Sequence, residues 1–560
     1  MIAASAVPAA AATHTPTRAH KRTTTDPNTP VLVSDPDKSP KGYRLTGNRV
    51  QRIAEADPTV RAELKRHPQA VAYQYTKGPG RWQVSWFSSG RNQRELIQAY
   101  VDDATDTVTE AWTGYQVAWI MARGYPGAFG RRVNSWYIWV PLCLLFVVPF
   151  LPWRRGSDGR RRLSLLHLDL LMLLGFSISL AVFNHANIGL SVPLVYPFLV
   201  YLLVRMLLLA FGRGRPRSPL PVLVPASWLA IAAVFLVGFR VGLNVTNSNV
   251  IDVGYAGVIG ADKLLHGKKL YGHWPSDNAY GDTYGPVAYY AYVPFRAVFG
   301  WSGHWDSLPA AHAAAIAFDL LMLIGLFFLG RMVRGPTLGI LLVYLWAAYP
   351  FTLWSMNSNT NDTLVGLLIV AALLAVKWAP GRGALAGLAG LTKFAPFALG
   401  PLLLRGTGSW RPVRSLVLYV VAYAVAAAAA LLPVSLDHNF WRFWHDTVSY
   451  QFHRPAPFSI WGLWGGLSLE QHLVEGAAAA LAIAVAFVPR RRGLVEIAAL
   501  GAAVLIALQL SVTYWLYSYI VWFFPLVIVA LFGAGPRARQ PAVETPAPQP
   551  QSEPLTAVPA

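Results

Sequence analysis

Residues 244–286 read NVTNSNVIDVGYAGVIGADKLLHGKKLYGHWPSDNAYGDTYGP, a polar stretch set between two long apolar runs. It holds Asp252, Asp262, Asp277 and Asp282, in a chain with only 27 acidic residues among 560. Connections of this length are usually either functional or unstructured. The glycines and aromatic rings that punctuate this one argue for an ordered loop that closes over something. The runs on either side set the fold class. Hydrophobic residues make up 54% of the chain and charged residues 13%, with mean hydropathy +0.39, whereas soluble domains carry about 25% charged residues. The chain therefore reads as an all-α polytopic membrane protein.

Runs long enough to span a hydrocarbon core of about 30 Å, each about 20 residues, fall near residues 134–152, 163–183, 190–211, 220–242, 308–330, 336–354, 361–379, 413–433, 473–488, 494–512 and 515–533. Two further segments are less regular. Residues 286–300 are short and aromatic and suit the membrane interface; residues 383–404 are broken at Lys393 and Pro396 and suit a hairpin. The expected total is about 11 to 13 transmembrane helices, within a membrane domain of residues 131–534. Arginine and lysine concentrate in the loops 154–162, 213–217, 331–334, 377–382, 405–414 and 490–492, which the positive-inside rule assigns to the cytoplasm. With the two irregular segments not crossing, the loops around Asp252, 357–363, 435–472 and 511–515 all fall on the outer face of a plasma-membrane protein. The formal charge of +20 then reflects topology and not nucleic-acid binding. The single cysteine, Cys143, excludes an internal disulfide and a cysteine-based zinc site.

Ahead of the bundle, residues 41–130 read as a small soluble α+β domain: a helix-period segment precedes strands, with Trp82, Val84 and Trp86 alternating toward one face. The helix followed by a short meander resembles a PepSY-type domain; an unrelated α+β module of the same layout is the alternative. Residues 1–40 and the Pro/Ala-rich 535–560 read as disordered tails. The start lacks a basic region followed by an apolar one, so no signal peptide is expected, although charge parity places this domain outside.

Among the loop acids, Asp252 follows the preceding span closely and sits at the outer surface. It is a candidate general base, which must reach an acceptor hydroxyl; the alternative is an N-cap for a helix over 254–265. The segments IDVGYAGVIGADKLLHGKKLYG and DTYGPVAYYAYVPF are similar to the first external loop of GT-C type glycosyltransferases that use polyprenyl-phosphate sugars, and in particular of the mannosyltransferase-like glycosyltransferase family 87. In that family an acid opens the loop, a Gly-x-x-Leu-Tyr turn ends its helix and a Tyr-x-Pro element leads back to the membrane. Asp252, residues 267–271 ending in Tyr271, and residues 284–286 beginning with Tyr284 occupy those places.

The resemblance continues through GLAGLTKFAPFALGPLLL and YQFHRPAPFSIWG. It covers about residues 225–530 and implies a GT-C-like fold. Asp252 would be the catalytic base, and Lys393, Arg454 and Gln451 would bind the donor phosphate. A charge at the depth of Lys393 is functional by default, a lysine snorkelling to the interface being the alternative. Arg454 offers a guanidinium fork matched to phosphate oxygens; its alternative is an interfacial arginine. Where the family carries a Gly-Gln pair, this chain has Asn359-Thr360-Asn361-Asp362-Thr363. Asn361 and Asp362, with Tyr284 and Tyr271, are candidate substrate contacts, and Asp362 could instead cap a helix or assist Asp252.

The resemblance implies transfer of a hexose, mannose in the first instance, from a polyprenyl-phosphate donor to a glycolipid, polysaccharide or glycoprotein acceptor, with inversion. No cofactor or metal is expected, a divalent cation at Asp277 and Asp282 being the alternative. A lipid-linked-sugar flippase or small-solute transporter is the rival reading, since Asp169, Arg205, His312 and Asp319 lie within apolar runs and could form a relay. Against it, the sequence has no repeat with matching broken helices, and Asp169 could simply pair with Arg205. A sensor or assembly factor acting through the N-terminal domain is a third.

Overall fold

The computed structural model describes residues 30–90, 93–124, 129–151, 164–214, 224–407, 413–453, 456–490 and 492–535. Arg454, residues 1–29 and 536–560 of the tails, and the arginine loop 154–162 lie outside them.

The N-terminal domain is a five-stranded antiparallel meander, β1 (Val31–Leu32), β2 (Val71–Thr76), β3 (Arg81–Phe87), β4 (Glu95–Asp102) and β5 (Thr107–Thr113), in sequential order. Alternation turns Trp82, Val84 and Trp86 of β3 and Ile97, Ala99 and Val101 of β4 to one face, where Val50, Ala54 and Val60 of the helices Gly47–Glu55 and Pro58–Arg66 cover them. Asp103 fixes the corner. It accepts the backbone N–H groups of Arg44 (2.7 Å) and Leu45 (2.9 Å) and the Trp82 indole N–H (2.9 Å). The domain begins earlier than the expected tail boundary at residue 40: Val31 and Leu32 pair with Thr76 and Tyr75 as an edge strand. Two residues are too few for an alternation to show in the sequence, so their pairing depends on the neighbouring strand.

The rest of the chain is a helical bundle. Six helices have the length and hydropathy of membrane spans: Leu165–Asn184, Ile188–Ala210, Ala226–Thr246, Pro309–Arg334, Val413–Leu436 and Leu494–Ser511. Pro336–Ala348 and Pro350–Asn357 together have the length and hydropathy of a span but meet at a bend of 60°, the form of a broken span or a re-entrant loop. Pro350 supplies no N–H and holds Tyr349 extended (φ −74°, ψ 123°), which breaks the helix there. Trp136–Phe150, Asp362–Leu374, Ala395–Arg405 and Tyr517–Gly533 are shorter apolar helices. Every residue of Ile520–Gly533 is buried, so this short helix is central, whereas Val413–Leu436 is exposed along most of its length, as a lipid-facing helix should be. The two irregular segments are both broken. Residues 286–300 form the short helices Pro286–Tyr290 and Val293–Phe299, and the helix Ala379–Gly390 stops before Lys393.

The two ends of the bundle differ in kind. At one, buried Arg382, Arg405 and Arg492 bind the carbonyls of Leu403 (2.7 Å), Phe487 (3.0 Å) and Gly406 (3.1 Å), gathering three of the basic loops. At the other, the polar loops meet: Asn249 N–H donates to Asn357 O (3.2 Å), and Gly130 N–H to Asn249 Oδ1 (2.6 Å). The connector from the N-terminal domain docks at this polar end as well, with Trp119 against Phe458 and Tyr514.

Candidate active site

The polar loop starts by lying along the turn 357–361. Asn359, in the left-handed conformation (φ 52°), donates through its amide to Ser248 Oγ (3.1 Å) and Asn249 O (2.9 Å). Asn244 donates to Met356 O (2.8 Å) and Asn359 Oδ1 (3.0 Å), and His312 Nδ1 lies 2.9 Å from Asn244 Oδ1. A helix follows over Asp252–Leu265. It begins two residues before the expected start, so Asp252 is its first helical residue and Ile251 holds the N-cap position. Asp252 is therefore not the cap. Its exposed carboxylate stands in the first turn, where the helix dipole favours negative charge, and its carbonyl accepts Asn278 Nδ2–H (3.0 Å). Gly254, Gly257 and Gly260 form a smooth row on the buried face. A Cβ at these positions would lie 2.2 Å from Asn359 O, 2.6 Å from the Tyr292 ring and 2.2 Å from the Tyr289 ring.

The second half of the loop is tied by its backbone. Lys263 Nζ donates to Gly272 O (2.6 Å), Gly272 N–H to Asp282 Oδ2 (2.9 Å), and the buried Tyr271 hydroxyl to Tyr284 O (3.0 Å). Tyr271, a candidate substrate contact, is thus enclosed and shapes the course of Tyr284. Burial raises the Asp282 carboxyl above its ordinary range, the Gly272 N–H opposes this, and nearby Asp446 adds to it. Burial also lowers the Lys263 ammonium to about 8, against the pull of Asp282. Asp277 takes a different partner, the Tyr255 hydroxyl (3.2 Å). Among the described residues no three His, Cys, Asp or Glu side chains gather where a metal ion could be held.

The loop returns to the membrane against the broken helix. Gly285 N–H reaches Thr392 O (3.3 Å) and Val287 N–H reaches Leu391 O (3.2 Å); a Cβ on Gly285 would sit 2.0 Å from Leu391 O. This pairing carries Tyr284 to Lys393. Lys393 Nζ is 2.6 Å from Asp362 Oδ1 and lies over the rings of Tyr284 (5.3 Å), Trp522 (5.4 Å) and Tyr519 (5.5 Å), while the Trp522 indole donates to the same Asp362 oxygen (2.9 Å). Lys393 is 9% and Asp362 1% exposed, so the pair is largely withdrawn from solvent. Asp362 starts the helix Asp362–Leu374, but its side chain neutralises the lysine. Next to it, both amide atoms of Asn361 are buried without a hydrogen-bond partner among the described residues, as is the hydroxyl of Tyr292, which lies within electrostatic reach of Asp362. Buried polar atoms are normally satisfied, and unmet ones beside an ion pair can receive a ligand's hydroxyl groups.

The segment after Leu436 folds over the loop. Thr447 Oγ1 donates to Asp282 O (3.3 Å), Tyr450 stacks on Tyr280 (5.8 Å) and Gln451 Nε2, exposed, reaches Thr283 O (3.4 Å). Lys393, Asp362, Asn361, Tyr284 and Tyr271 therefore form one connected group, with Gln451 beside it. Ile251, the residue before Asp252, donates its N–H to Ser358 O (3.3 Å) in the turn 357–361. Sequence reasoning missed Trp522, Tyr519 and Tyr292, aromatic residues in apolar runs where nothing marks them apart from core.

The charges inside the bundle are paired. Arg205 Nε meets Asp169 Oδ1 at 2.8 Å with the Tyr201 hydroxyl at 2.7 Å, and Arg240 Nε meets Asp319 Oδ2 at 3.1 Å with the Trp346 indole at 2.8 Å from Oδ1. Each pair joins two helices of the bundle, Leu165–Asn184 with Ile188–Ala210 and Ala226–Thr246 with Pro309–Arg334.

No curated protein matches the chain. Residues 283–534 match the model of glycosyltransferase family 87, a stretch that begins just before Tyr284, takes in Asp362, Lys393 and Gln451, and leaves Asp252 upstream. With its helical membrane bundle and that match, the chain is a membrane glycosyltransferase similar to glycosyltransferase family 87.

Proposed function

We propose that the chain transfers a hexose, mannose in the first instance, from a polyprenyl phosphate to a hydroxyl of a glycolipid, polysaccharide or glycoprotein, at the outer face of the plasma membrane. The acceptor oxygen attacks the anomeric carbon as the bond to the phosphate oxygen breaks. The electron pair leaves on the phosphate, and the hydroxyl proton passes to the Asp252 carboxylate. A single displacement of this kind inverts the anomeric centre. Lys393, with N–H donors beyond the one given to Asp362, and Arg454 meet the charge growing on the phosphate, and Gln451 adds an amide donor. Asn361 offers its unmet amide to the sugar.

The observation that carries this reading is the pairing of Gly285 and Val287 with Leu391 and Thr392, which joins the acid-bearing loop to the lysine of the broken helix. Clustering of the basic loops at the opposite end supports the orientation. The test is transfer of labelled hexose from a polyprenyl-phosphate hexose in membranes, comparing the native chain with Asp252→Asn at equal expression. Loss of transfer with donor binding retained is expected. Native membranes that transfer nothing to pooled acceptors, or a variant as active as the native chain, would refute it.

A further inference from the structure

Beside the first turn of the loop helix lies a cavity of about 610 Å³ that neither the family match nor the sequence motifs assign. Its size is that of a small-molecule site, which ranges over about 300–1,000 Å³. Val245 and Thr246 at the head of one span, Ser248 to Val250 of the loop, His312 at the head of another span, Asp277, Arg131 and the stretch 305–307 line it. We infer that this cavity is a saccharide pocket that receives the terminal sugar of the acceptor.

The lining selects this ligand class. The charged lining is Arg131 with two carboxylates, Asp277 and Asp306, so with His312 neutral the formal balance is negative and unsuited to a phosphate or an acidic lipid headgroup. Carboxylates, amides and hydroxyls around an indole suit a neutral polyol: the polar groups accept and donate to hydroxyls, and the ring covers a sugar's C–H face. The walls are also held in place. The Trp305 indole donates to Val250 O (3.1 Å) and its ring lies against Tyr255 (4.9 Å between centroids). One oxygen of Asp277 accepts the Tyr255 hydroxyl (3.2 Å) and one of Asp306 accepts Leu308 N–H (2.9 Å). Among the described residues the second oxygen of each carries no intramolecular hydrogen bond and is available to a ligand.

Tyr255 links the pocket to the chemistry. It holds both Trp305 and Asp277, and it stands one turn along the helix from Asp252, whose carbonyl binds Asn278 beside Asp277. A sugar in this pocket is thus placed against the turn that bears the proposed base. The assignment to an acceptor rests on the transfer reading above; the pocket's saccharide chemistry does not.

The test is saturation-transfer-difference NMR on the full-length protein in nanodiscs, with methyl α-mannoside, methyl α-glucoside and methyl β-galactoside as probes and inorganic phosphate as competitor. At least one glycoside is expected to bind, phosphate not to displace it, and Asp306→Asn and Trp305→Ala each to weaken binding about tenfold or more. Asp306→Asn sits at the rim and keeps the test valid if Trp305→Ala fails to fold. No saturation transfer from any glycoside, displacement by phosphate, or equal binding by Asp306→Asn would overturn the pocket. If glycosides bind and Asp306→Asn weakens them while no sugar is ever transferred, the pocket stands and the transfer reading fails. Transfer with an acceptor KM unchanged in Asp306→Asn leaves the enzyme standing and overturns the assignment of the pocket to the acceptor.

Discussion

Replacing Asp362 by Asn isolates one physical consequence of the fold. Lys393 Nζ and Asp362 Oδ1 are 2.6 Å apart, both side chains are nearly inaccessible, and three aromatic rings surround the ammonium. At an effective dielectric constant of about 20, opposite charges at that separation attract by about 6 kcal/mol, most of which offsets their desolvation. Asp362→Asn removes the attraction and leaves the desolvation of Lys393, so a loss of about 3–5 kcal/mol is expected, a large part of the 5–15 kcal/mol typical of folded proteins. The rings recover part of this through cation–π attraction, about 2 kcal/mol where the cation is desolvated. Lys393→Met should cost a similar amount for the converse reason. The double variant Asp362→Asn/Lys393→Met should be markedly more stable than the sum of the two losses implies, because no charge is then stranded. Thermal unfolding of the detergent-solubilised protein measures all four corners of the cycle. A melting temperature for Asp362→Asn within about a degree of native, or two single losses that simply add in the double variant, would refute the buried-pair reasoning.

Other expectations follow from the same geometry. Asp252→Asn should slow sugar transfer by about 10²-fold or more while leaving fold and donor binding intact, as single-turnover kinetics beside donor titration would show. Gly257→Ala puts a methyl 2.6 Å from the Tyr292 ring and should lower stability by about 1–3 kcal/mol; Tyr292→Leu in the same chain should restore part of the melting temperature. Burial lowers Lys263 to about 8 from its ordinary 10.5. Between those values the unfolded chain binds a proton the folded one has released, so stability should rise with pH from about 8 to about 10.5. Melting temperatures across that window should rise for the native chain and less for Lys263→Met.

Much of the architecture was legible because it depends on local pattern. The alternation of Trp82, Val84 and Trp86 marked a half-buried strand, and it is β3. Lys393 and Pro396 interrupting an apolar run marked a broken helix, and the helix ends at Gly390. The helix count was less legible. Asp362–Leu374 and Tyr517–Gly533 are shorter than their apolar runs suggested, because hydropathy reports what can be buried without saying whether lipid or protein buries it. Within a bundle, short and broken helices are tolerated where neighbouring protein satisfies the backbone. Of the site, the sequence marked Asp252, Asp362 and Lys393 as unusual without revealing that the last two are partners.

Composition, the spacing of apolar runs and the distribution of arginine by themselves determined a membrane bundle with its polar loops collected at one end. Each of those signals is a sum over neighbouring residues and needs no knowledge of distant contacts. Only the tertiary structure decided that Asp362 neutralises Lys393 beneath Trp522 and Tyr519. It alone decided that Asp252 opens its helix instead of capping it, and that Trp305 and Asp277 are drawn into one cavity by Tyr255. Those pairings join segments far apart in the chain, and their energies arise from desolvation and ring packing that exist only once the helices have closed around them.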